Sequence, residues 1–198
     1  MYNNLKVLDV HGHVNSPEVA RAFGLSMLAS NYPSASPLVQ RREVGGGRRG
    51  RGRDFSDEVF ESAARDHIEY LDERNVDVQI IGPRPYTMLG WMEPHLLPAW
   101  CSFTNDTIAK QTSFYPDRFF GAAMLPQIAE APDLSNCASE IDRCVHEYGF
   151  VAVYASPDPS GRRLTPGMHE PYWYPLYEKC QSMDLPIIVH GTNMLASR

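Results

Sequence analysis

The segment LDVHGHV at residues 8–14 places His11 and His13 one residue apart, just behind Asp9. Side chains alternate along extended backbone, so the two imidazoles project from one face. Two neutral imidazoles on one face suit Zn²⁺ or a similar divalent ion. An H-x-H pair is weak evidence by itself, but PIIVHG ends a separate apolar run on His190. Three histidines from two strand ends, with a position left for solvent, are the beginnings of a catalytic metal site. His190 is then expected both as a ligand and as a catalytic group. By the same alternation Asp9 shares the histidines' side, as an acceptor that fixes an imidazole tautomer or as a weak ligand. The rival reading makes His190 a satisfied core histidine and HGH a mere strand end.

Other residues are candidates for holding a substrate. Arg84 lies in GPRP, stiffened by two prolines, and a guanidinium can grip a carboxylate in a bidentate fork. Tyr86 is expected to share that role more weakly. His95 and His169 sit in loops and could reach the same place. His67 falls on an apolar helical stripe and reads as core, and His146 near a helix C-terminus reads as a surface residue complementing the dipole. Trp173, Tyr174 and Tyr177 read as packing residues of a helix.

The elements that must position these groups alternate in kind. LKVLDV at 5–10, VDVQIIG at 76–82, FFGAAML at 119–125, FVAVYA at 150–155 and LPIIVHG at 185–191 read as short buried strands. The first helix opens at Ser56, an expected N-cap, with Asp57 and Glu58 in its first turn. Its stripe is Val59, Phe60, Ala63, Ala64, His67, Ile68 and Leu71. Further helices are expected over 94–114, from about Asp133 to the stop at Gly149, and over 171–183. Strands apolar on both faces and alternating with helices imply a parallel sheet covered by helices. No G-x-G-x-x-G follows the first strand, which removes the main dinucleotide-binding signature. Polar residues instead gather at strand C-termini, as on the rim of a (β/α)8 TIM-type barrel. Only five of the eight strands are readable, so 1–198 is expected to be a single barrel domain, incomplete at its C-terminal side.

Bulk properties narrow the class. The chain has 198 residues, 43% hydrophobic, and a net charge of −6, which argues against a nucleic-acid partner. No stretch approaches the roughly 18 uncharged apolar residues a membrane span needs, and no signal peptide is visible at the start. Cys101, Cys137, Cys144 and Cys180 lack CxxC spacing and are expected to be buried free thiols. A cytoplasmic location is the expectation. Residues 30–54, with Arg41, Arg42, Arg48, Arg49, Arg51 and Arg53 among glycines, read as a flexible insertion loop acting as a lid or partner contact. It lacks the interleaved aromatics of a nucleic-acid-binding segment.

DVHGHV near the N-terminus and LPIIVHG far downstream resemble the first and fifth strands of the amidohydrolase superfamily. More narrowly, with IIGPRPYTML and EPYWYPLYEKCQSMDLPIIVHGT, the chain resembles the branch of metal-dependent decarboxylases related to aminocarboxymuconate-semialdehyde decarboxylase. That branch includes hydrolases and hydratases of ring-cleavage products in aromatic-acid degradation. The resemblance implies His11, His13 and His190 as ligands of one divalent ion, zinc by default with manganese tolerated. It also implies a carboxylate ligand from the last strand, beyond Arg198. Binuclear relatives use a fourth-strand lysine, which FVAVYAS lacks, so a single ion is implied. The resulting expectation is a non-oxidative decarboxylase of a carboxylated aromatic acid or ring-cleavage product, with a homodimer implied by the resemblance. A C–C hydrolase or hydratase is the alternative, and a non-catalytic truncated barrel acting as a binding module is the rival class.

Overall fold

The computed structural model describes residues 3–14 and 57–191. The loop over 30–54, the expected cap Ser56 and the side chain of Tyr86 lie outside the described residues. The described elements run β1 (Leu8–His13), α1 (Asp57–Asp72), β2 (Val78–Gly82), α2 (Leu97–Phe114), β3 (Phe119–Met124), α3 (Ala138–Tyr148), β4 (Ala152–Ala155), α4 (Tyr174–Ser182) and β5 (Ile187–Val189). One-turn 3-10 helices at Pro85–Thr87, Ser135–Cys137 and Pro171–Trp173 lead into α2, α3 and α4. The five strands are parallel and stand in sequence order, β1-β2-β3-β4-β5. The expected strands are all present. β1 starts later than expected and runs on through both histidines, whereas β4 and β5 are shorter than expected, at Ala152–Ala155 and Ile187–Val189.

Alternation assigns the two faces. Ile81, Phe119, Ala123 and Val153 project to the outer face, into a core built with Ile68 and Leu71 of α1, Ile108 of α2, Ile141 and Cys144 of α3 and Leu176 and Cys180 of α4. The stripe expected for α1 is confirmed by its buried residues Phe60, Ala64, Ile68 and Leu71. Helix α3 stops at Gly149, whose φ of 67° is the left-handed conformation a glycine adopts without strain. Trp173 is fully buried and stacks on Tyr177, but Tyr174 is 48% exposed, so the expectation that it packs inward is corrected. Ala122, Met124, Ala152 and Tyr154 project to the inner face with Ile80 and Ile188.

The sheet is strongly curled. Four steps of about 4.8 Å would set β1 and β5 roughly 19 Å apart in a flat sheet. The rings of His13 and His190, on those two strands, have centroids only 5.1 Å apart. The Tyr154 hydroxyl on β4 likewise donates to the Gly12 carbonyl on β1 at 3.1 Å, reaching past two intervening strands. The architecture is therefore a five-stranded parallel half-barrel with helices outside. A buried polar clamp ties helices to strand ends: the Asn105 amide accepts from Met124 N–H and donates to its carbonyl at the end of β3. The same amide donates to Glu140 at 2.7 Å. Burial would raise the Glu140 carboxyl, yet bonds from Arg143, Asn105 and Ser102 hold it below the usual range. All four cysteines are free and buried. Among the described residues no helix is long and apolar enough to cross a membrane.

Candidate metal centre

His11 and His13 stand on the inner face at the C-terminal end of β1, and His190 follows β5 directly. Their rings form a nearly equilateral triangle, with centroids 5.2, 4.9 and 5.1 Å apart. One ring nitrogen from each lies within 4.8 Å of the other two. Two tautomers are settled by main-chain carbonyls, which can only accept. His13 Nδ1 donates to Pro83 O at 2.9 Å and His190 Nδ1 donates to Gly191 O at 2.6 Å. Each therefore keeps a bare lone pair on Nε2, the form a metal ion needs. Burial lowers the proton affinity of His13 against the pull of Pro83, and the neighbouring His190, His11 and Arg84 lower it further. Burial also lowers His190, with His11 adding to it and the Gly191 carbonyl opposing. Both effects favour neutral imidazoles at His13 and His190, and a cation among the three rings suits such a donor set. The residues present fit one divalent ion.

Asp9 is placed differently from the expectation. Register pairs Asp9 with Gln79 and Gly12 with Ile81, so three β1 steps oppose two of β2 and the strand carries a bulge. The extra residue reverses the alternation, leaving Asp9 on the outer side with Gln79 while His11 and His13 stay inside. Its carboxylate accepts from Gln79 Nε2 at 2.6 Å and from the His11 backbone N–H at 3.0 Å, and from no imidazole. Asp9 thus steadies the bulge that aims His11. Gln79 in turn lies against His67, whose other side accepts from Gln111 at 3.1 Å. Gly12 is required beside it, because a Cβ there would sit 2.3 Å from the Gln79 carboxamide.

Arg84 is beside the cluster, where its charge depresses His13, and its Nε donates to Val14 O at 2.7 Å. The Tyr86 side chain lies outside the described residues. His95 and His169 are exposed in the loops after β2 and β4 and are not among the groups that converge. His67 is part-buried on the inner stripe of α1, against Phe119, and His146 is exposed beside Asp142, both as expected. Sequence reasoning missed Tyr154. Fully buried, it has its ring 6.2, 6.2 and 5.3 Å from those of His11, His13 and His190. Burial pushes its hydroxyl up to about 12, so it is a neutral donor that holds the peptide between the two β1 histidines. Gly82 makes room for it, since a Cβ there would lie 2.4 Å from the ring. The signal available was a lone polar-tipped aromatic in an otherwise small-residue strand.

The family model for amidohydrolases matches residues 8–197, nearly the entire chain. The chain belongs to the amidohydrolase family. A 2-keto-4-carboxy-3-hexenedioate hydratase of Sphingobium sp. is 28% identical over 188 residues, 94% of this chain and 52% of the relative. A gamma-resorcylate decarboxylase of Polaromonas sp. is 29% identical over 133 residues, 66% of this chain and 39% of that protein. The crystal structure of 4-oxalomesaconate hydratase from Rhodopseudomonas palustris superposes with a TM-score of 0.76 at 27% identity, covering 94% of this chain and 52% of that one. This amidohydrolase chain thus spans about half the length of these relatives, and its five-stranded sheet is the matching half of their barrel.

Proposed function

We propose that this chain carries the metal-binding half of a metal-dependent amidohydrolase acting on a carboxylated product of aromatic degradation, with addition of water as its reaction. The convergence of His11, His13 and His190 on one point carries the metal-dependent part of this reading. The likeness to two hydratases over 94% of the chain supports water addition over the decarboxylation first expected. Decarboxylation of an aromatic acid is the second reading, favoured by the shorter match to gamma-resorcylate decarboxylases. Zinc suits three imidazoles, and manganese tolerates the same donors.

When bound, a divalent ion at this place supplies a Lewis acid and makes water acidic enough to attack near neutral pH. The chain's own residues prepare the ground for it. Pro83 O and Gly191 O lock two imidazoles with Nε2 unprotonated. Asp9 and Tyr154 hold the main chain around His11 and His13 from opposite faces of β1. Arg84, whose Nε donates to Val14 O, brings a guanidinium charge close to His13, the chemistry that recognises a carboxylate. The buried wall of Tyr154 and Met124 keeps bulk water from the floor of the site.

The test couples metal content to product. Purified protein should hold about one equivalent of zinc or manganese, as expected for three histidines and one open position. The metal-loaded protein should consume the enone absorbance of 2-keto-4-carboxy-3-hexenedioate. Carbon dioxide release from gamma-resorcylate, without loss of the enone, would replace the hydratase reading by the decarboxylase one. A folded protein that takes up no ion would end both.

A further inference from the structure

Ser156 follows β4 directly and, two residues after Tyr154, shares its inner face. Register pairs Ala155 with Val189, so the next pair sets Ser156 beside His190. Both of its main-chain groups are taken by one side chain. Ser156 N–H donates to Gln127 Oε1 at 2.7 Å, and Gln127 Nε2 donates to Ser156 O at 3.0 Å. Its hydroxyl remains. Ser156 is only 2% exposed, yet among the described residues Oγ has no hydrogen-bond partner. A buried polar atom without a partner is unusual enough to ask what satisfies it.

Ser156 is one of the residues around a void of about 10 Å³, together with Met88, Met124, Leu125, Gln127, Tyr154 and Pro159. That space accepts a single oxygen-sized group. A carboxylate is excluded by the room its two oxygens need and by the cost of carrying a charge in a small, largely apolar space. Tyr154, one wall of the void, is also the ring that packs beneath all three histidines. The void and the histidine cluster therefore share Tyr154 as a neighbour, and Ser156 stands one strand across from His190.

We propose that Ser156 is a substrate-binding residue whose hydroxyl takes a lone oxygen substituent, a phenolic hydroxyl or keto oxygen, of a carboxylated substrate held at the histidine cluster. The proposal rests on the reading of this site as one for carboxylated aromatic acids or their ring-cleavage products. The division of labour is simple: an ion at the histidines would hold the acid, and Ser156 tests for the neighbouring oxygen. Gln127 acts through Ser156 as a positioning residue, since it holds the peptide from which the hydroxyl projects.

The experiment compares 2-hydroxybenzoate with benzoate, titrated calorimetrically into the metal-loaded protein and into its Ser156→Ala variant, with metal content measured on both. Wild type should prefer the hydroxylated acid by about tenfold, the range of one buried hydrogen bond. Ser156→Ala should reduce the preference to about twofold or less while benzoate affinity and metal content stay unchanged. A preference that survives in Ser156→Ala overturns the proposal alone and leaves the void as a place for a water molecule. If neither acid binds wild type holding its ion, the aromatic-acid reading falls and this subsite falls with it.

Discussion

On the outer face of the sheet, Ile81, Phe119, Ala123 and Val153 meet four helices in a closed apolar core. On the inner face the sheet carries His11, His13, Tyr154 and Gly82, whose lack of a side chain leaves space for the Tyr154 ring. Adjacent residues of one strand thus serve opposite ends. Ala123 and Val153 contribute burial and nothing else, whereas their neighbours Met124 and Tyr154 wall a site. The difference teaches that stability and chemistry are separated by a single residue step, so substitutions one position apart should fail in different ways.

The sharpest break between the faces is expected from His11→Ala/His13→Ala. Removing two of three protein donors should take metal content from about one equivalent to under a tenth. The unfolding midpoint of the metal-free protein should barely move, which elemental analysis and urea melts check together. Trp173→Ala, on the helix side, should do the reverse. Emptying that fully buried site costs about 3–5 kcal/mol of stability with metal stoichiometry kept, read from the same two measurements. Gly82→Ala tests the contact between the faces' tasks, because its new methyl meets the rigid Tyr154 ring at 2.4 Å. A cost of about 1–3 kcal/mol is expected. Weaker chelator-resistant metal binding should accompany it, since the displaced ring no longer supports Gly12.

The smallest effect expected is a pH dependence confined to the metal-free protein. His13, His67 and His190 all bind protons less readily when folded than at their ordinary value of 6.5, burial being the first cause in each. The unfolded chain therefore takes up protons first as pH falls through 6.5. Stability is complete above that value and declines below it. Urea midpoints at pH 8, 7, 6 and 5.5 would show the decline, and saturating metal should suppress the part due to His13 and His190. A flat profile would mean that these imidazoles are better solvated than their packing indicates.

Much of this was legible in the sequence because two periodicities carry it. Alternation of apolar runs with helical stripes pointed to five parallel strands, and the positions of His11, His13 and His190 at strand ends pointed to their convergence. What alternation cannot see is its own interruption. The β1 bulge adds no unusual residue, yet it turns Asp9 away from the imidazoles it was expected to serve. Tyr154, Gln79 and Ser156 were equally hidden, since each looks like an ordinary strand residue until curvature brings distant strands together. Tyr174 was misjudged because aromatic content marks a packing helix without saying which of its aromatics face inward.

The strand order has a kinetic corollary. Each strand pairs with the one preceding it in the chain, so the sheet can grow by short steps, each closing only one βα loop. The histidine cluster does not share that economy. His11 and His13 belong to the first strand and His190 to the residue after the fifth, so their meeting is the last and most distant closure of all. Acquisition of an ion would then report the end of folding, and a chain stalled before β5 docks would remain unmetallated however well its outer core had formed.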